Sequence, residues 1–203
     1  MNSAADVSTT VSATDVSTTA VSTAAVFTPA AASTASVAPS SELAYVALGS
    51  NLEHPDRQVM RGFDDLDGIP DTRVLARSSL YRSAPVGYLE QPDFVNAVAK
   101  VETRLAPQAL LSALLDIEQR HGRQRDRVNG PRTLDLDIVL YGNRTVNEPG
   151  LRIPHPRMQD RAFVVVPLAE IAPDADVPGQ GAIRDLVARV DARTLTRMGA
   201  AGA

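Results

Sequence analysis

The chain has 203 residues, a formal net charge of −4 and a pI near 5.4, with 4% aromatic residues and neither tryptophan nor cysteine. That length suits one medium domain with its own core, or two small ones. The acidic balance argues against a general nucleic-acid binder, and the lack of cysteine excludes a disulfide framework, a thiolate zinc site and a thiol nucleophile.

Residues 1–41 are nearly all Ala, Ser, Thr and Val, carry only Asp6 and Asp15 as charges, and repeat "DVSTT". Such a segment cannot bury enough apolar surface to offset its ordering entropy, so a disordered tail is expected there and a folded domain over 42–203. The tail lacks the basic start of a secretory signal and the arginines of a transit peptide, and no apolar run is long enough to span a bilayer. A cytoplasmic protein with no membrane or nucleic-acid partner is the expectation.

"LAYVALGS" (43–50) reads as a first strand, closed by Gly49. A helix follows from about Pro55 to Leu66, with Pro55 in its first turn and Val59, Phe63 and Leu66 at helical spacing. "TRVLARSSLYRSA" (72–84) reads as a second strand, "PVGYLEQPD" as a loop, and "FVNAVAKVET" (94–103) as a third strand. "APQALLSALLDIEQRHG" is the clearest helix, with Leu110, Leu111, Leu114, Leu115 and Ile117 as its apolar stripe and Gly122 after its end. The loop "RQRDRVNGPRT" leads into "LDLDIVLY", the fourth strand. The order βαββαβ is the split ferredoxin-like pattern of the α+β class: an antiparallel sheet with helices on one face, here followed by helical segments near 160–171 and 183–190.

Because that fold hosts many functions, chemistry has to come from the sites. In the fourth strand Asp135 and Asp137 share one face, while Leu134, Leu136 and Ile138 share the other. Two carboxylates roughly 7 Å apart repel unless something positive lies between them. They read either as a wet acidic strand face or as a metal site. Arginines flank them on both sides: Arg123, Arg125, Arg127 and Arg132 before, Arg152, Arg157 and Arg161 after. Carboxylates that hold Mg²⁺, with guanidinium groups around them, are what a metal–polyphosphate site needs. His155, in "PHP", reads either as a donor to substrate or as a structural loop residue. Asn96 and Phe94 fall two apart in the third strand, so an amide that reads a flat heterocycle and a ring that stacks on it would face the same way. A structural asparagine holding a neighbouring loop is the alternative. No P-loop run GxxxxGK[ST] occurs, and "ALGSN" is too short for a dinucleotide fingerprint.

Taken together, "YVALGSNL", "SSLYRSAPVGYLEQPDFVNAV", "GRQRDRVNGPRTLDLDIVLYG" and "IPHPRMQDRAFVVVPLAEIAP" resemble the 6-hydroxymethyl-7,8-dihydropterin pyrophosphokinase family of the folate pathway over residues 43–175. The resemblance implies a monomeric enzyme that moves a pyrophosphoryl group from ATP to the hydroxymethyl oxygen of the reduced pterin, leaving AMP. It implies that Asp135 and Asp137 hold two Mg²⁺ ions, and that these two with Arg123 and Arg132 carry the catalysis. It places Ser83, Ala84, Val86, Phe94, Asn96 and Phe163 around the pterin. It places Arg123, Arg125, Arg132, His155 and Arg161 near the phosphates or ribose of ATP, and Glu118 and Ile138 near its adenine. The chain departs from the family's usual pattern at Asn129, where many members have Trp, in an arginine loop one residue shorter, and at Gly150 and Arg152, where some have Arg and Thr. Two rivals stay distinct. A metal-dependent nucleotidyltransferase would release pyrophosphate instead of AMP, and a regulatory domain of the same fold would bind its ligand without turnover.

The tail generates the first prediction. Deleting residues 1–40 is expected to leave the melting temperature unchanged, because the segment has no core-forming pattern. A fall of several degrees in a thermal melt would show instead that the tail docks on the domain.

Overall fold

The computed structural model describes residues 40–123 and 130–199. Among these residues ten strands and four α-helices follow in the order β1 (Glu42–Ser50), α1 (Pro55–Asp67), β2 (Thr72–Arg77), β3 (Tyr81–Ser83), β4 (Phe94–Thr103), α2 (Pro107–Arg120), β5 (Asp135–Tyr141), β6 (Val146–Glu148), β7 (Leu151–Ile153), α3 (Ala162–Ile171), β8 (Asp176–Val177), β9 (Gly181–Ala182), α4 (Ile183–Val187) and β10 (Leu195–Arg197). The large sheet runs β10–β3–β4–β1–β5, all antiparallel, with β2 also paired to β4. With β2 and β3 counted as one interrupted strand, this is the ferredoxin-like sheet.

That interruption is the main departure from the pattern expected over 72–84, and Ser78 causes it. The Ser78 N–H donates to the Val98 carbonyl at 2.9 Å, but the Val98 N–H turns to the Ser78 Oγ, also at 2.9 Å. A side chain has replaced a rung of the backbone ladder, and the chain leaves β4 before rejoining it at Tyr81. A second irregularity lies between β1 and β5. Tyr45 pairs with Leu140 and Val46 with Ile138, so Val139 is bulged and has no partner opposite it. Its carbonyl instead accepts the N–H of His155 at 3.0 Å, which anchors the "PHP" loop to the sheet.

The sheet is covered on both faces. On one, Val59, Phe63 and Leu66 of α1 and Leu110, Leu114 and Ile117 of α2 pack on Ala44, Val46, Leu48, Val95, Ala97, Ala99, Leu136 and Ile138. Both helices start on proline, whose missing N–H costs nothing in a first turn. Leu115, expected in the apolar stripe, is exposed instead, because the buried face of α2 follows positions 110, 114 and 117. Gly62 lets α1 sit close, since a Cβ there would lie 3.0 Å from Leu48 Cδ2 and 3.2 Å from Leu134 Cδ2. On the opposite face, Val164, Val165 and Leu168 of α3, with Met158, Ile183 and Leu186, pack on Val98, Val139 and Leu140. The appended helical segments therefore form a second core, and α3 (which carries Pro167) is apolar almost throughout because it is buried there.

The last strand is tied to this second layer by one carboxylate. Glu170 of α3 accepts from the Ser79 N–H at 3.0 Å, the Ser79 Oγ at 2.7 Å, the Tyr81 hydroxyl at 3.0 Å and Arg197 Nη2 at 2.8 Å. Burial pushes the Glu170 carboxyl up, but the hydrogen bonds from Ser79 and Tyr81 and the charge of Arg197 hold it below its ordinary value of 4.5. A lowered folded pKa contributes stability that is complete above the unfolded value and lost as pH falls through the folded one. Glu170→Gln is therefore expected to cost about 1–2 kcal/mol at pH 7, and less as the pH drops below the ordinary value of 4.5. Denaturant melts across that range would show a flat difference if the network contributed nothing.

Candidate active site

The register of the central strands assembles the site. Gly49 of β1 pairs with Asn96 on one side and with Asp135 on the other, and two residues back Ala47 pairs with Val98 and Asp137. Directly paired residues share a face, so the amide and the carboxylates stand in adjacent rows above a floor made of Gly49 and Ala47. The floor is small and close to the amide: a Cβ on Gly49 would come into contact with Asn96 Oδ1 at 3.4 Å. Phe94, two residues before Asn96, rises on the same face, and Ser83 pairs with it from β3. The Asn96 Nδ2 donates to Ser83 Oγ at 3.0 Å, which fixes the orientation of the amide.

Three cavities adjoin the acidic pair. One of about 220 Å³ is walled by Phe94, Phe163, Asn96, Ser83 and Asp135, with Ala84, Val86, Arg132, Arg157, Asp160 and Arg161 at its sides. Another of about 580 Å³ lies against Asp137, Ile138, His155, Arg152, Leu111 and the β6–β7 hairpin. Between them a gap of about 40 Å³ touches both Asp135 and Asp137. The acidic pair thus sits at the junction of a ring-sized, aromatic-walled space and a larger, more polar one.

The two carboxylates differ electrostatically. Both oxygens of Asp135 are taken by guanidinium groups, Arg123 Nη2 at 2.6 Å and Arg132 Nη1 at 2.5 Å. Asp137 has no ion pair among the described residues. Burial, with the Asp135 charge beside it, pushes its carboxyl up to about 6 against the pull of Arg161. His155 moves the other way, down to about 4, through burial and the charges of Arg161 and Arg157. It is therefore neutral near pH 7. Its Nδ1 faces the N–H of Arg157 at 3.3 Å, so the ring proton resides on Nε2, where it can be donated.

A residue that sequence reasoning passed over holds the loops around this centre. Asn51, buried at the end of β1, accepts the Arg132 N–H on Oδ1 at 2.8 Å and donates its own N–H to the Arg132 carbonyl at 3.1 Å. Its Nδ2 donates to Gln91 Oε1 and to the Pro92 carbonyl at 3.0 and 3.1 Å. One amide thus fastens both the arginine segment and the 84–93 loop to the sheet. The signal was present in "GSN", where a polar residue follows an apolar strand directly.

Comparison with known proteins settles the family. Residues 45–173 match the family model for 7,8-dihydro-6-hydroxymethylpterin-pyrophosphokinase. The chain belongs to this family. It is 50% identical over 144 residues to the Pseudomonas aeruginosa 2-amino-4-hydroxy-6-hydroxymethyldihydropteridine pyrophosphokinase, covering 71% of this chain and 89% of that protein. The Haemophilus influenzae enzyme of the same name is 49% identical over 144 residues, covering 71% of this chain and 90% of that one. Among solved structures, a Plasmodium falciparum HPPK-DHPS chain crystallised with pteroate aligns with a TM-score of 0.60 at 14% identity, over 76% of this chain and 44% of that one. That likeness is one of fold.

Of the residues singled out from sequence, Ser83, Ala84, Val86, Phe94, Asn96 and Phe163 all line the smaller cavity, as do Arg132, Asp135 and Arg161. Asp137, Ile138 and His155 line the larger one. Arg123 reaches the junction through Asp135. Glu118, expected against the adenine, is buried beside the outer edge of β5, where it accepts the Leu136 N–H at 2.8 Å and pairs with Arg123. Its position anchors β5 and one guanidinium, and neither cavity is lined by it. Arg125 and Asn129 lie outside the described residues.

The unequal surroundings of the acidic pair give opposite expectations for two similar substitutions in metal-free protein. Between its ordinary 3.8 and about 6, folded Asp137 holds a proton that the unfolded chain releases, so its effect on stability becomes unfavourable as pH rises through that window. Asp137→Asn is expected to raise the melting temperature at pH 7.5 by about 2–4 °C, with no gain at pH 4. Asp135→Asn is expected to lower it at pH 7.5, because two guanidinium groups lose their counter-charge. Equal shifts in both variants by calorimetry would contradict this asymmetry.

Proposed function

We propose that this chain transfers the diphosphate of ATP to the hydroxymethyl group of 6-hydroxymethyl-7,8-dihydropterin, giving AMP and the pterin diphosphate in tetrahydrofolate biosynthesis. The observation that carries this reading is the meeting of the two cavities at the acidic pair. A flat heterocycle fits between Phe94 and Phe163, with its edge toward the Asn96 amide. The larger cavity suits the nucleotide, whose base would lie against Leu111 and Ile138 and whose phosphates would reach His155 Nε2–H and the Asp137 side. A substrate oxygen and a phosphorus held in adjoining cavities react as if in one molecule, and that supplies much of the acceleration.

The hydroxymethyl oxygen forms a bond to the β-phosphorus while the bond from that phosphorus to the oxygen bridging it to the α-phosphorus breaks. The hydroxyl proton is released and AMP carries away the bridging oxygen. Charge shifts onto that bridging oxygen and across the transferred group, where Arg161, Arg132 and Arg123 stand closest to the junction. Arg132 and Arg123 reach the phosphates by exchanging Asp135 for them. His155, neutral, donates a hydrogen bond without adding charge.

The chemistry of the donor set fits Mg²⁺. Asp135 and Asp137 offer only hard carboxylate oxygens, and no cluster of three or more His, Cys, Asp or Glu is present among the described residues. Mg²⁺ suits a site with one or two carboxylates because it takes its remaining ligands from water and phosphate. Two ions bound there would neutralise the phosphates and acidify the hydroxyl. No helix among the described residues is long and apolar enough to cross a membrane.

The test is incubation with ATP, Mg²⁺ and the hydroxymethyl dihydropterin, followed by separation of nucleotides. AMP is the expected product, and pyrophosphate release would favour nucleotidyl transfer instead. Asp135→Asn and Asp137→Asn are each expected to lower turnover at least about a hundredfold, with the double variant little worse than either, as for residues that act as one unit. Near wild-type turnover in both single variants would leave the pair as a wet strand face.

A further inference from the structure

Four guanidinium groups surround the acidic pair, and they are in two different states. Arg123 and Arg132 are engaged with Asp135. Arg157 and Arg161 are not: among the described residues neither guanidinium makes an ion pair or a hydrogen bond. Arg161 is half-buried and lies over the Phe163 ring, 5.6 Å from its centroid. Arg157 is the exposed residue that opens the 3-10 turn Met158–Asp160, and it lines the same cavity. The charges of Asp137 and Asp135 reach Arg161 without forming an ion pair with it. Arg157 helps to push the Arg161 guanidinium below its usual range, second to burial, and both push His155 down. Asp160, on the same wall, forms no ion pair with either. Two like charges close together at a half-buried place are unfavourable until an anion lies between them, so an unengaged arginine pair is suited to a polyanion.

The position of Arg157 says which polyanion. It lines the ring cavity with Phe94, Phe163, Asn96 and Asp135, and it is not on the wall of the nucleotide cavity, which Asp137, His155 and Arg152 form. A phosphate that reaches Arg157 is therefore one already attached to the molecule in the ring cavity. We propose that Arg157, beside Arg161, is a recognition residue for the diphosphate of the pterin product, a contact that Arg157 makes with neither the unphosphorylated pterin nor ATP. This rests on the activity proposed above and adds to it a residue that governs how long the product stays, a step that sets turnover in many transferases once chemistry is fast.

The experiment is equilibrium binding of three ligands to the full chain: the hydroxymethylpterin, its diphosphate, and an ATP analogue with a non-hydrolysable α,β-bridge plus Mg²⁺. Wild type, Arg157→Ala and Arg157→Lys are compared, and thermal melts are run alongside. Since the Arg157 side chain has no partner among the described residues, the variants are expected to melt with the wild type. Arg157→Ala is expected to weaken the diphosphate about tenfold or more, and to change the other two ligands less than about twofold. Arg157→Lys should recover part of the loss, and the product-inhibition constant should rise in step with the dissociation constant. Equal weakening of pterin and diphosphate would overturn the proposal, because Arg157 would then read the ring or support the loop. Weakening confined to the ATP analogue would overturn it in favour of the donor side. If wild type bound neither the pterin nor its diphosphate, the activity itself would be misread, an outcome separate from the failure of Arg157 alone.

Discussion

The alignment of β1 between β4 and β5 is the constraint on which the rest depends. In that register Gly49 lies between Asn96 and Asp135, and Ala47 lies between Val98 and Asp137. A slip of one residue would turn every side chain of a strand to the other face, placing Asp135 and Asp137 in the core against α1 and α2. What holds the register is the opposite face. Ala44, Val46 and Leu48 of β1, Val95 and Ala97 of β4, and Leu136 and Ile138 of β5 are all buried there. The hydrophobic effect on one side of the sheet thus fixes the chemistry on the other, with the period of two as the link.

The same geometry creates a charge problem. A carboxylate pair on adjacent positions of one strand face, half enclosed by α3, is unfavourable by itself. The fold answers it unevenly: Asp135 receives two arginines while Asp137 is left to burial and the more distant Arg161. Glu118 makes this arrangement possible from the edge of β5, since one of its oxygens takes the Leu136 N–H and also pairs with Arg123. A buried acid at the sheet edge therefore positions an arginine beside Asp135. Asp135 is thus held by two cations of the same site, while Asp137 is not. Groups that serve as one another's counter-ions leave less charge unpaired in a half-buried place.

How much of this was legible in the sequence follows from the range of the forces involved. Asp135 with Asp137, and Phe94 with Asn96, are pairs two apart in strands, so shared facing could be read locally. The helices Pro55–Asp67 and Pro107–Arg120 likewise announce themselves through apolar spacing and an initial proline. What could not be read depends on partners distant in the chain. Ser78 splits a strand only because Val98 is opposite it, and Asn51 matters only because Arg132 and Pro92 come to it. Glu118 looked like a helix residue near the nucleotide, and its burial beneath Leu136 depends on how α2 docks on β5. The pairing of β10 with β3 joins residues more than 110 positions apart through short segments that carry no periodic signal.

The second core explains why the site opens where it does. Val98, Val139 and Leu140 of the sheet are covered by α3 and its neighbours, but the covering ends before the rows of Asn96 and Asp135. At that boundary the apolar layer supplies Phe163 as a wall, and the chain just before α3 supplies Arg157 and Arg161. The turn that carries them is held by hydrogen bonds from Met158 N to the His155 carbonyl and from Arg161 N to the Met158 carbonyl, both at 3.0 Å. Met158 itself is fully buried in the second core. The arginines therefore stand on an apolar anchor, so the turn keeps its place although neither guanidinium has an ion pair or hydrogen bond among the described residues. A cation that is rigid at its base and unengaged at its tip loses little entropy when an anion arrives. The apolar packing on this face thus acts at a distance, by fixing where the charge of the site boundary stands.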